Sequence, residues 1–170
     1  MASLIDELIS VLKQEQDIYR QLIDVSSEKT NIIVKNNLAE LQRITAVEQG
    51  YLGTLINLEK KREEVTGDIA LVLNRKAEEM TVKDLIFVLE GQKEVQKQLI
   101  AVHEELRSTL MNFNKINEIN KNLIQESLEL IDFNLNFIKG MYQAPEVANY
   151  SKDAGNASPM MEIGVFDAKQ

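Results

Sequence analysis

Cysteine and tryptophan are absent from the 170 residues, histidine occurs once, as His103, and proline twice, as Pro145 and Pro159. Without cysteine there are no disulfides, no thiol nucleophile and no Cys-ligated zinc. Residues 1–144 contain no proline and few glycines. A sandwich, barrel or Rossmann fold of this size needs many tight turns, and the residues that usually form them are missing. No run approaches the 18 or so apolar residues of a membrane span, the densest being Ile69–Leu73. Asp6 and Glu7 interrupt the opening apolar positions, so no signal-peptide pattern is present. A soluble, cytoplasmic protein is expected. With 19 Lys and Arg against 27 Asp and Glu, the net charge is −8, which disfavours a nucleic-acid partner. The only basic cluster, Lys60-Lys61-Arg62, is followed at once by Glu63 and Glu64.

What is present is helical periodicity. Leu4, Leu8, Val11, Ile18, Leu22 and Val25 recur at three- and four-residue steps, with Ile5, Ile9, Leu12, Tyr19 and Ile23 as an adjacent row. That pattern predicts an amphipathic helix over about Ser3 to Ser26, with Ser3 as N-cap. A second helix is expected from about Lys29 to Glu64, on a stripe containing Ile33, Leu38, Leu41, Ile44, Leu52, Leu55 and Leu58. Polar Ser26–Lys29 is the expected break, although a bent continuous helix also fits. Glu48 and Arg62 fall on the second stripe by spacing, and Gly50 and Gly53 suggest close packing against a neighbour. Thr66-Gly67-Asp68 reads as a turn, or Ile69–Leu73 extends the second helix by two turns. Arg75–Glu79 reads as a loop. Thr81 to Asp84 resembles a capping box, opening a third helix.

From Val95 to Ile138 the stripe continues without a breaker. Forty-eight helical residues, from Gln92 to Lys139, would reach roughly 72 Å at 1.5 Å each. Gly91 could mark a kink, and Gly140 is a plausible stop, with Pro145 preventing resumption. The expected architecture is all-α. It is an elongated antiparallel helical bundle or coiled-coil-like hairpin of three to four helices, with a very long C-terminal helix and an irregular tail. Residues 1–142 are expected to form the bundle domain and 143–170 the tail. Tyr150, Met160, Met161, Ile163, Val165 and Phe166 make that tail more apolar than a linker requires.

No catalytic constellation is visible. His103-Glu104-Glu105 lacks the second histidine of a zincin motif, and position 100 is Ile, so the Glu-x-x-His spacing of di-iron bundles is missing too. The serines have no base partner other than that one histidine, and no Gly-rich phosphate loop occurs. Neither enzymatic activity nor a metal or cofactor is expected.

The informative oddity is asparagine: seven, from Asn112 to Asn136, fall in the long helix. Asn is a mediocre helix former. On the three-four step, Asn117, Asn120 and Ser127 alternate with Phe113, Leu123, Ile124, Leu128, Ile131, Leu135 and Ile138. One reading is an ordinary core with polar edges. The other is an unsaturated groove, made of these ten residues, awaiting a partner helix. Phe133 and Phe137 add apolar surface on another side.

Three blocks resemble the FlgN-type flagellar export chaperones. The first is Leu41-x2-Ile44-x3-Glu48-x3-Leu52-x2-Leu55-x2-Leu58-Glu59-x2-Arg62. The second is Asn120-Lys-Asn-Leu123-Ile124-Gln-Glu-Ser127-Leu128, followed by Ile131 and Ile138. The third is Tyr150 to Gly155 leading to Val165-Phe166-Asp167-Ala-Lys169. The resemblance implies a non-enzymatic chaperone of flagellar type III export. Such a protein binds the terminal helices of hook-associated (hook–filament junction) proteins, prevents their premature association and delivers them to the export apparatus. It also implies that the client binds in the C-terminal part and that a tyrosine near the C-terminus docks to the export gate, for which Tyr142 and Tyr150 are candidates. The competing expectation is a self-associating structural or scaffolding coiled coil. A homodimer would be compatible with either.

Overall fold

The computed structural model describes residues 2–76 and 80–143. Among the described residues the elements are α1 (Ala2–Val34), α2 (Leu38–Val72), α3 (Val82–Val88) and α4 (Lys93–Gln143), with a 3-10 turn at Leu89–Gly91. Among the described residues there is no strand. The all-α class and the very long last helix are as the periodicity predicts.

The first break lies eight or so residues beyond its expected place. Ser26–Lys29 is helical because its polar side chains are satisfied within the helices: the Ser26 hydroxyl donates to Glu48 Oε1 at 3.0 Å and the Ser27 hydroxyl to the Ile23 carbonyl at 2.7 Å. The chain turns instead at Lys35-Asn36-Asn37. Asn36 adopts φ 51°, and the Asn37 N–H donates to the Ile32 carbonyl and the Asn36 N–H to that of Ile33, which is a Schellman closure. Asn37 then caps α2, its side chain accepting from the Glu40 N–H at 3.2 Å. The same device ends α2, with Asn74 at φ 55° and the Arg75 N–H on the Ala70 carbonyl. Thr66-Gly67-Asp68 is therefore helix, and the longer alternative for α2 holds.

Thr81 and Asp84 form the expected capping box of α3. That helix does not run on into the long one: the 3-10 turn and Gln92 separate them, where a kink at Gly91 was expected. Gly140 does not end α4, which continues to Gln143. Gly50 and Gly53 meet no neighbour, since a Cβ at either would find nothing within 4 Å. The expectation of close packing there is corrected.

By its internal contacts the chain divides into Met1–Asp132 and Phe133–Gln170. In the first unit α1 and α2 form a closely packed antiparallel hairpin. Arg62 bonds Glu15 near one end of it, and Glu48 bonds Ser26 and Lys29 near the other. α4 runs parallel to α1: Gln16 donates to Glu105, Tyr19 packs on Phe113, and Thr30 bonds Asn120. The main core lies at the α1 N-terminal end, where Leu8 and Leu12 of α1, Ile69 of α2, Leu85 of α3 and Leu99 of α4 are fully buried. A smaller cluster of Leu22, Leu55 and Phe113 continues it. Each such side chain contributes about 1.5–3 kcal/mol by leaving water. In the second unit the described residues, 133–143, are the last turns of α4.

Candidate functional site

The ten residues of the predicted groove do not share one environment. Phe113 is core, its ring centroid 5.6 Å from that of Tyr19. Asn117 is exposed. Asn120 is 3% exposed and fully engaged: its Nδ2 donates to the Ser26 carbonyl at 2.8 Å, and its Oδ1 accepts from the Thr30 hydroxyl at 2.6 Å. This amide ties α4 to α1. Beside it Lys29 meets Glu48 at 2.6 Å, so one level of the helical core is polar and fully satisfied. A polar layer of this kind discriminates register, because a shift of α4 would orphan the buried Asn120 amide.

Beyond Asn120 the packing thins. Leu123, Ile124 and Ser127 are half-buried, and the Ser127 hydroxyl bonds back to the Leu123 carbonyl. Leu128 and Ile131 are 57% and 53% exposed. The cause is chain length: α1 ends at Val34, four residues past the Thr30 that bonds Asn120, and α2 begins at Leu38. No described helix of the hairpin extends far enough to cover the row. In the second unit, Leu135 and Ile138 are each 48% exposed. Leu128, Ile131, Leu135 and Ile138 thus keep the 3-4-3 spacing of a helix-packing seam with no partner among the described residues.

The sequence pattern had given less weight to a second row on α4. Leu130, Phe133, Phe137 and Met141 are exposed as well, at three- and four-residue steps. Their spacing is the sequence signal for this row, of which Phe133 and Phe137 are the members singled out above. Tyr142 is 88% exposed, whereas Tyr150 and the rest of the expected tail from 144 onward lie outside the described residues.

Chemistry elsewhere is sparse. A cleft of about 650 Å³ is lined by Leu12, Tyr19, Leu55 and Leu106, with Glu15, Arg62 and His103 among its polar groups. Arg62 is held there by Glu15 at 3.1 Å and Glu59 at 3.3 Å. Burial pushes the Glu15 carboxyl above its ordinary 4.5, and Arg62 only partly offsets that. His103 is half-buried, its Nδ1 3.4 Å from Glu104. Among the described residues no group of three or more His, Cys, Asp or Glu could hold a metal ion, and no helix is long and apolar enough to cross a membrane.

Among the described residues the chain is a helical protein whose longest helix carries exposed apolar rows. Residues 1–158 match the profile of the FlgN protein family, and the chain belongs to that family. It is a family of flagellar export chaperones, so a general role in flagellar protein export, with flagellar proteins as partners, follows from membership. The chain is also similar to a Bacillus subtilis (strain 168) protein described as uncharacterized protein YvyG. The two are 24% identical over 163 residues, which cover 95% of this chain and 96% of that one. No solved structure matches.

Proposed function

We propose that this chaperone acts in the cytoplasm by seating a terminal amphipathic helix of a hook-associated flagellar protein on α4, along Leu123, Ile124, Leu128, Ile131, Leu135 and Ile138. The observation that carries the reading is the uncovered 3-4-3 row past Asn120, half-exposed at each apolar step. Phe113 and Asn120 close the seam against α1 at its upper end, and Asn117 and Ser127 supply polar edges. Burying such a row against a client helix releases roughly 25 cal/mol per Å² before ordering costs. A client that orders on binding gives back a few kcal/mol, which suits a complex that must be released. The chaperone itself makes or breaks no bond. Tyr142, which is exposed, and Tyr150 are the candidates for the tyrosine that docks to the export gate.

Co-purification with the terminal segment of a hook-associated protein tests the reading. Ile131→Asp is expected to weaken the complex on the order of 30-fold, the effect of losing one interface hot spot, at unchanged helicity. Asn136→Asp, on the polar side of α4, is expected to leave it intact. Equal binding by wild type and Ile131→Asp overturns the reading. A tight homodimer by light scattering that takes up no flagellar segment selects the scaffolding alternative.

A further inference from the structure

The second unit, Phe133–Gln170, contains more exposed apolar surface than one incoming helix covers. On the last turns of α4, Leu135, Ile138 and Tyr142 form one row and Phe133, Phe137 and Met141 the other, all at least 48% exposed. At 3.6 residues per turn the two rows lie on the order of 130° apart. A helix-packing stripe is about 100° wide, so a client on the first row leaves the second in water. Two phenylalanines and a methionine are a large apolar payload to leave bare.

We propose that the chain's own C-terminal segment covers this second row, Met160–Phe166 seating on Phe133, Phe137 and Met141, while the first row stays open. The occupant is named by chain length, starting point and composition. The stretch that contains the segment begins at residue 144, directly after α4, and Pro145 removes a helical N–H just past that helix's end. The row spans about 12 Å of helix, whereas the 16 residues from 144 to 159 reach up to about 55 Å when extended. Within Met160–Phe166 five of seven residues are large and apolar, and the two methionines adapt readily to an aromatic surface. The inference rests on the client reading only in reserving the first row for the client.

The absence of cysteine makes a disulfide test clean. Gly140 lies beside the second row and a Cβ there meets nothing within 4 Å, while Lys139 lies on the far side of the helix from that row. In the full chain, Gly140→Cys with Gly164→Cys is expected to form an intramolecular disulfide at least tenfold faster than Lys139→Cys with Gly164→Cys. Adding Phe137→Asp to the first pair is expected to remove the advantage. Equal rates for the two pairs, or indifference to Phe137→Asp, overturn the proposal. Disulfides joining two chains overturn it in favour of a second copy. No client is present, so failure here leaves the client reading standing, and failure of the Ile131→Asp test leaves this inference standing.

Discussion

Asn120 makes two hydrogen bonds to α1 from a position that is 3% exposed, so its removal takes both away, leaving the Thr30 hydroxyl only its 3.1 Å bond to the Ser26 carbonyl. Asn120→Ala is expected to lower stability by about 1–3 kcal/mol, read as a lower urea midpoint at unchanged slope. Glu15 behaves differently, because burial holds its folded-state pKa above the ordinary 4.5 in spite of Arg62. The raised value means that folding favours the protonated acid. That contribution is complete below pH 4.5 and is lost as pH rises through the folded-state value. Compared with Glu15→Gln, the wild type is therefore expected to gain stability as pH falls toward 4.5 from above. The importance of Asn120 was legible in its place on an apolar seam. Its partners were not, because Ser26 and Thr30 lie 94 and 90 positions away and carry no local mark of the pairing.

On the expected α2 stripe Ile44 and Leu55 are buried but Leu38 and Leu52 are exposed, whereas the stripes of α1 and α4 follow from spacing, because their buried side chains recur on one helical face. The break between α1 and α2 did not, because both helix ends use asparagine where glycine is the usual signal. Asn36→Gly is accordingly expected to be tolerated, while Asn36→Ala is expected to cost about 1 kcal/mol in thermal or urea unfolding, since alanine resists positive φ. Gly50 and Gly53 of α2 contribute nothing visible to packing. Gly50→Ala and Gly53→Ala are each expected to stabilise by about 0.5–1 kcal/mol, because the added methyls meet open space and the helix gains propensity. Destabilisation by either would indicate a close neighbour on that face.

For the molecule as a whole, the core of the first unit holds one end of the helices together, and α4 carries its apolar spacing past the residues the hairpin covers. The family assignment gives a general role in flagellar protein export, and the proposed client row is the exposed part of α4. The asparagine-rich stretch of α4 signalled that surface in the sequence. How much of it is covered depended on where α1 ends, and that was set by the cap at Asn36. The most direct measurement is hydrogen exchange of the full chain with and without a hook-associated protein's terminal segment. The account expects new protection concentrated over residues 123–138, with the α1–α2 hairpin unchanged. Protection confined to α1 and α2, with α4 past Leu123 exchanging as before, would contradict it.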